Sequence, residues 1–534
     1  MSEEAEANQY DSIVVGAGFG GLYMLHRLRK LGQRVLVIEA GDGPGGTWYW
    51  NRYPGARCDI QSLEYSYQFS DELQQEWEWS ERYATQPELL RYINHVADRF
   101  DLRRDILFNT RVTGARYDEA DQRWTVTTDD GQARSARFVI MATGCLSSAN
   151  VPAIPGLAGF QGDWYHTGRW PHEPVDFTGK RVAVIGTGSS AIQSIPLIAR
   201  QASELTVFQR TANYSIPARN ALLDPVEVNA VKARYPTYRA ENRETAFHAD
   251  FGYNELNALD VSAEVRDAEY ERRWSMGGLP FLAAFADLMF DERANKTAAD
   301  FIRRKIREIV SDPATAELLS PKGLVGCKRL CVDTDYYATF NLAHVSLVDV
   351  NADPIQAITS RGIRTETREY EVDAIVFATG FDAMTGAITK VDIRGRNGQR
   401  IQDAWEEGPK TYLGLSVNGF PNLFLITGPG SPSVLTNMLP SIEHHVDWIA
   451  DCIEHVSSGR FVSIEAEADA QENWVTHVNE VGNTSVYPRC NSWYLGANIP
   501  GKPRVFMPYL GFPPYAEKCR EVADRGYVGF RLIA

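Results

Sequence analysis

No stretch of the chain approaches the roughly 18 consecutive apolar residues of a membrane-spanning helix, which excludes a transmembrane protein. Basic residues are in short supply: Lys plus Arg total 54 against 69 Asp plus Glu, a net charge of −15. That excess of acid argues against a nucleic-acid partner or an anionic membrane surface. The start, Met1 to Gln9, lacks both the basic stretch and the apolar core of a signal peptide. Cysteine is sparse, seven in all, and no CxxC pair repeats. This excludes a structural zinc site and fits a reducing cytoplasm better than a disulfide framework. No tract is of low complexity, and no metal is expected. What remains is a globular composition, 44% hydrophobic and 23% charged, over 534 residues. That length is a prior of about three to four domains.

Glycine carries the information. A short apolar run, Ser12 to Val15, ends in Gly16-Ala-Gly18-Phe-Gly20-Gly21, and Leu22, Met24, Leu25, Leu28 and Leu31 follow at roughly helical spacing. A second apolar run, Val35 to Ile38, ends in Glu39. Strand, glycine turn, helix and strand with a terminal acid form a dinucleotide site. Gly16 permits the turn, Gly18 lets backbone N–H groups approach a pyrophosphate, Gly21 lets helix and strand pack, and Glu39 can accept from a ribose. The pattern recurs at Arg181 to Ile185, Gly186-Thr187-Gly188-Ser189-Ser190-Ala191 and Leu205 to Phe208. This time the strand end offers Gln209-Arg210-Thr211 and no acid. A guanidinium there suits a 2′-phosphate, so the first site reads as FAD or NAD and the second as NADP.

Two strands ending in Ala-Thr-Gly, at Phe138–Gly144 and Ile375–Gly380, are expected to return to the two nucleotide sheets. The expected organisation is α/β: two Rossmann-like dinucleotide-binding domains with a helical insertion. The boundaries are 10–145 (FAD, first part), 146–217 (NADP, first part), 218–326 (insertion), 327–382 (NADP, second part) and 383–534 (FAD, second part).

Between the folds, Phe160-Gln-Gly162-Asp-Trp-Tyr-His166-Thr-Gly-Arg-Trp170-Pro171 fits FxGxxxHxxxW(P/D). Gly45-Gly46-Thr47-Trp48 through Tyr53-Pro54-Gly55-Ala-Arg57-Cys-Asp59 fits GGxWxxxxYPGxxxD. On these motifs the chain resembles the type I Baeyer–Villiger monooxygenases, closest to the phenylacetone and steroid monooxygenase branch and then to cyclohexanone monooxygenases. The resemblance runs from about Tyr10 to the C-terminus. It implies a soluble, monomeric FAD- and NADPH-dependent enzyme. Such an enzyme turns small ketones into esters or lactones with O₂ through a C4a-peroxyflavin, with sulfoxidation as a side activity.

The same resemblance assigns residues. Arg329 is the catalytic arginine and Asp59 its partner. The flavin side comprises Gly16, Gly18, Phe19, Gly21, Glu39, Gly46, Thr47, Trp48, Asp59, Tyr65, Val112 and Met438. The NADP side comprises Arg57, Asp59, Thr187, Gly188, Ser189, Ser190, Gln193, Arg210, Thr211, Lys328, Arg329 and Trp493. Ser433, Val434, Leu435 and Met438 border the substrate. His166 is expected to tie the linker between the domains rather than to touch the chemistry. Pro513-Pro514 departs from relatives and is expected to stiffen its segment. Cys327 and Cys331 lack the spacing of a disulfide reductase's redox pair. The nearest enzyme rival is a relative that oxygenates amines or soft heteroatoms; a redox sensor is the rival from another class.

Overall fold

The computed structural model describes residues 8–534, so most of the acidic start, Met1–Ala7, lies outside the described residues. Two sheets organise the chain. The first begins with β1 (Gln9–Val15), whose last four residues are buried, followed by helix α1 (Phe19–Lys30) and β2 (Val35–Ile38). It continues through β3 (Ile106–Leu107), β4 (Val112–Asp118), β5 (Arg123–Thr128) and β6 (Ala133–Met141). The second contains β7 (Asp163–His166), β8 (Arg181–Ile185), β9 (Glu204–Gln209), β10 (Val345–Asp349) and β11 (Ala374–Phe377), with helix α2 (Ser189–Ala199) between β8 and β9. Two later strands, β12 (Asp392–Arg394) and β13 (Leu423–Leu425), rejoin the first sheet.

The first sheet runs β12-β4-β5-β6-β1-β2-β3, with β13 also paired to β6; the second runs β10-β9-β8-β11-β7 and is parallel throughout. Its strands are short and apolar because parallel sheets are covered on both faces. Each Ala-Thr-Gly strand does return to its own fold: β6 lies beside β1 and β11 beside β8.

The two folds reuse one device. Gly16 has φ +103°, and a Cβ there would sit 2.7 Å from the Ala142 carbonyl oxygen. Gly186 has φ +112°, and its Cβ would clash with the Ala378 carbonyl. In both folds the glycine turn and the Ala-Thr-Gly strand end therefore pack backbone to backbone. Gly21 lies against the Gly16 carbonyl, where any side chain would collide.

Between Ser215–Pro217 and Cys331–Asp333, which pair in parallel, the chain is helical. Its longest helix there, α3 (Glu292–Ile309), buries Ala298, Phe301, Ile302 and Ile306 on one face. After β13, α4 (Met438–Ser458) packs on α1, where Tyr23 donates to Asp447 at 2.8 Å and Arg27 pairs with Asp447 and Asp451. Pro513-Pro514 occupy the first turn of helix α5 (Phe512–Asp524), where missing N–H groups cost nothing.

Cys327 and Cys490 form a disulfide across a sequence separation of 163, while the other five cysteines are free and buried. Neighbour spacing cannot reveal a partner that only the fold brings close.

The two halves meet where the Tyr53-Pro54-Gly55 turn touches α2. Tyr53 donates to Gln193 Oε1 at 2.8 Å, and Gln193 Nε2 donates to the Arg57 carbonyl at 3.1 Å. Gly55 has φ +81°, and a Cβ there would lie 2.5 Å from the Gln193 carbonyl oxygen. Gly55→Ala is therefore expected to cost about 1–3 kcal/mol and to lower Tm in thermal unfolding.

Candidate active site

A continuous cavity of about 1590 Å³ lies between the two sheets, at the C-terminal ends of their strands. That exceeds the roughly 300–1,000 Å³ of a cleft for one drug-sized ligand, and leaves room for two dinucleotides. Helices α1 and α2 both open onto it. Each begins at a glycine, Gly18 or Gly188, with no side-chain cap and no acid in the first turn. Uncapped N–H groups at a positive helix end suit the pyrophosphate of a dinucleotide. A Cβ on Gly188 would meet nothing within 4 Å, so the cavity reaches the backbone there.

The flavin-assigned residues Gly16, Gly18, Phe19, Glu39, Gly46, Thr47, Trp48, Asp59, Tyr65, Val112 and Met438 line this cavity, and Gly21 packs behind it. Gly18 and Gly46 approach closely, since a Cβ on Gly46 would be 2.9 Å from Gly18 Cα. Glu39 is buried, and its two oxygens accept from the Ala17 N–H (2.7 Å) and the Gly41 N–H (2.8 Å). The carboxylate thus shapes the glycine turn, and each oxygen keeps a lone pair for a ribose hydroxyl. Trp48 donates its indole N–H to the Tyr65 hydroxyl at 3.3 Å, and the rings meet edge to face.

All the residues assigned to NADP also line the cavity: Arg57, Asp59, Thr187, Gly188, Ser189, Ser190, Gln193, Arg210, Thr211, Lys328, Arg329 and Trp493. Thr187 Oγ1 donates to the Thr211 carbonyl at 2.9 Å and joins the glycine turn to the strand end. Arg57 is held by Glu81 at 2.9 Å and by the Tyr83 carbonyl at 3.1 Å. Burial, and then the neighbouring Arg210, push the Lys328 ammonium below the usual lysine range. Two cations that repel each other at a strand end fit a phosphate dianion between them.

The centre of the cavity holds an ion pair. Arg329 Nε donates to Asp59 Oδ2 at 2.8 Å and Nη2 to Oδ1 at 3.0 Å, a bidentate fork. Nη1 donates to the Val434 carbonyl at 2.9 Å, and the guanidinium lies 4.9 Å from the Phe247 ring centroid. Burial opposes its charge, but Asp59 outweighs that and holds the pKa above the usual arginine value. Three of its five N–H groups are engaged, which leaves two for the cavity.

Other expected residues lie off the cavity wall. Val434 and Met438 line it, whereas Ser433 and Leu435 are buried outside the lining. Of the linker fingerprint, Phe160, Gly162, His166, Trp170 and Pro171 do not line it. His166 is buried. Its Nδ1 accepts from Gly168 N–H at 3.0 Å and its Nε2 meets Thr379 Oγ1 at 3.4 Å. Burial lowers its pKa, with Arg169 adding to the effect. These contacts fasten the linker to the second fold. Trp170 N–H, which donates to the Trp50 carbonyl at 3.4 Å, links it to the first.

Glu64, beside Tyr65, was not expected. Its Oε1 accepts from Tyr238 (2.6 Å), Asn242 (3.3 Å) and the Asp250 N–H (2.8 Å), and its carbonyl accepts from Arg239 (3.1 Å) and Asn437 (3.0 Å). One buried carboxyl thereby seats the insertion that carries Phe247 over Arg329. Neither Glu64 nor Phe247 belongs to a motif, so only the path of the chain identifies them.

A family model described as pyridine nucleotide-disulphide oxidoreductase matches residues 13–272. The chain is 42% identical over 523 residues to a Baeyer–Villiger monooxygenase of Pseudooceanicola batsensis, covering 97% of this chain and 95% of that one. It is 41% identical to the phenazine N-monooxygenase PhzNO1 of Lysobacter antibioticus, covering 99% and 98%. Among solved structures it matches an oxidized steroid monooxygenase bound to NADP with TM-score 0.94 and 53% identity, covering 98% and 99%.

Arg210→Ala is expected to raise KM for NADPH about 10- to 100-fold, the loss of one charge-assisted contact, while KM for NADH changes little. Steady-state kinetics with both nucleotides measure this.

Proposed function

Because the chain belongs to the Baeyer–Villiger monooxygenases that use FAD and NADPH, we propose that this cavity converts a small ketone to an ester or lactone, with Arg329 as the catalytic cation and Asp59 as its positioning partner. The observation that carries the reading is the bidentate pair inside a cavity with two uncapped helix N-termini. FAD, when bound, supplies the redox and oxygen-transfer chemistry, drawing electrons from NADPH and oxygen from O₂.

The chain does the rest. The N-termini of α1 and α2 hold the two pyrophosphates, and Arg210 with Lys328 holds the 2′-phosphate. Arg329 would stabilise the negative charge that develops on oxygen as the ketone is oxygenated. A guanidinium suits that task because it keeps its charge at any working pH and its donors are already in place. Asp59 and the Val434 carbonyl fix the guanidinium's orientation. Val434 and Met438 border the ketone, and Trp493 closes the nicotinamide side and keeps water out.

Sulfoxidation is proposed as a side activity. A second reading is oxidation of an aromatic nitrogen, favoured by the phenazine N-monooxygenase that is as similar to this chain as its ketone-oxidising relatives. A monomer in the cytoplasm is also proposed; the net charge of −15 and the five unpaired cysteines support it.

The test is a panel of ketones and phenazines, incubated with the FAD-loaded enzyme, NADPH and O₂, with products identified by mass. Ketones are expected to gain one oxygen. If only the nitrogen compounds do, the ketone reading is wrong. Arg329→Ala is expected to bleach its flavin with NADPH while ester formation falls by at least about 100-fold.

A further inference from the structure

The Cys327–Cys490 disulfide sits in the wall of the cavity. Cys327 immediately precedes Lys328 and Arg329. Cys490 begins the stretch that brings Trp493 and Asn498 to the cavity. Tyr487 and Tyr494, on either side of Cys490, both lie within electrostatic reach of Arg329. The bond therefore joins the loop carrying two proposed ligand-binding cations to the segment that closes over them.

That segment is held firmly at its far end. Lys502 Nζ donates to Asp382 Oδ1 and to the Ala383 carbonyl, each at 2.7 Å, and Asn498 donates to the Phe381 carbonyl at 2.7 Å. Its near end is tied, besides the disulfide, by the Val486 N–H to the Met289 carbonyl at 2.9 Å, by Tyr487 stacked on Phe506, by Arg504 donating to Asn491 Oδ1 at 3.1 Å, and by Arg489 paired with Glu292 at the surface. An exposed pair of that kind contributes little.

We propose that the Cys327–Cys490 disulfide is a reducible positioning cross-link, which holds Lys328, Arg329 and Trp493 in register and whose opening by a dithiol loosens the nucleotide side of the cavity. The proposal rests on reading that side as the NADP site. In the opening step a thiolate of the dithiol attacks one sulfur and displaces the other cysteine as a thiolate, which takes up a proton. The reagent's second thiol then displaces the first cysteine. The dithiol loses two electrons and two protons and becomes a cyclic disulfide; Cys327 and Cys490 end as thiols. Cys331 does not compete, because burial pushes its thiol up to about 12 and it stays protonated between Ser189 and Asn213.

The FAD-loaded protein is treated anaerobically with dithiothreitol and desalted, and a portion is alkylated in denaturant so that its thiols, buried ones included, are counted by mass. The count is expected to rise from the five free cysteines to all seven, and saturating NADP⁺ is expected to slow that rise. Hydrogen exchange over residues 490–502 should become faster, and NADP⁺ titration should show about fivefold weaker binding from lost preorganisation. Product formed per NADPH consumed should fall about threefold, as misplacement by a fraction of an ångström implies. A Cys327→Ser/Cys490→Ser double variant should show the same exchange and affinity untreated, and should not respond to dithiothreitol. Seven thiols in the untreated protein, or unchanged exchange and NADP⁺ affinity once seven appear, would overturn the proposal. If no ketone is oxygenated even before treatment, the reaction assigned above fails, while exchange and NADP⁺ titration still decide this one.

Discussion

The Arg329–Asp59 pair is the contact on which the arrangement of the two halves depends. Asp59 comes from the motif that follows the first glycine turn, and Arg329 from the chain that re-enters the second fold. Removing two charges from water is costly, and such a pair survives only with good geometry and further hydrogen bonds. Both conditions hold here: the fork is bidentate, and the Val434 carbonyl takes a third N–H. Its neighbours serve the same end. Gly55 lets the Asp59 segment reach α2, Glu64 seats the insertion that lays Phe247 against the guanidinium, and the disulfide anchors the loop beside Arg329. A pair shared between halves forms only when they are correctly placed, so proposed chemistry and domain geometry are one condition.

The two nucleotide folds show how one backbone solution can take two ligands. Both use a positive-φ glycine against the carbonyl of an Ala-Thr-Gly strand end, and both open an uncapped helix onto the cavity. What differs is the end of the second strand. Glu39 accepts from two backbone amides and remains beside the cavity, while Arg210 and Thr211 stand at the equivalent place in the second fold. An acid at that place repels a 2′-phosphate and a guanidinium attracts it. On the proposed assignment, selectivity is set by side chains at one position of a repeated scaffold.

The same logic explains what could be read from sequence. The glycine turns, the strands that flank them and the Ala-Thr-Gly returns are constrained by neighbours or by strict packing against backbone, and these are legible in residue type and spacing. Contacts between distant segments are not. Cys327 gave no sign of Cys490, and nothing in Phe247 or Glu64 announced their neighbours, because the route of the insertion determines all three. His166 shows a middle case. Its motif marked it as structural, but which partners it takes, Gly168 and Thr379, was not legible. Pro513-Pro514 is another. The rigidity of proline was legible, but whether it closes a loop or opens a helix depends on Gly511 ahead of it, which here starts α5.

Burial silences several of the titratable groups around the Arg329–Asp59 pair. Desolvation raises the pKa of the thiols of Cys58 and Cys145 and of the phenols of Tyr53 and Tyr65, so they stay protonated. It lowers the imidazoles of His248, His444 and His445 below their usual value, so they stay neutral. Arg329 is the exception because Asp59 offsets its burial. Near neutral pH these groups are therefore silent, while the Arg329–Asp59 pair keeps its charge and Arg210 and Lys328 stand further along the same cavity. A fixed pair needs no proton to arrive or leave before each turnover. That is the condition for stabilising an oxygen anion that a stray proton would quench.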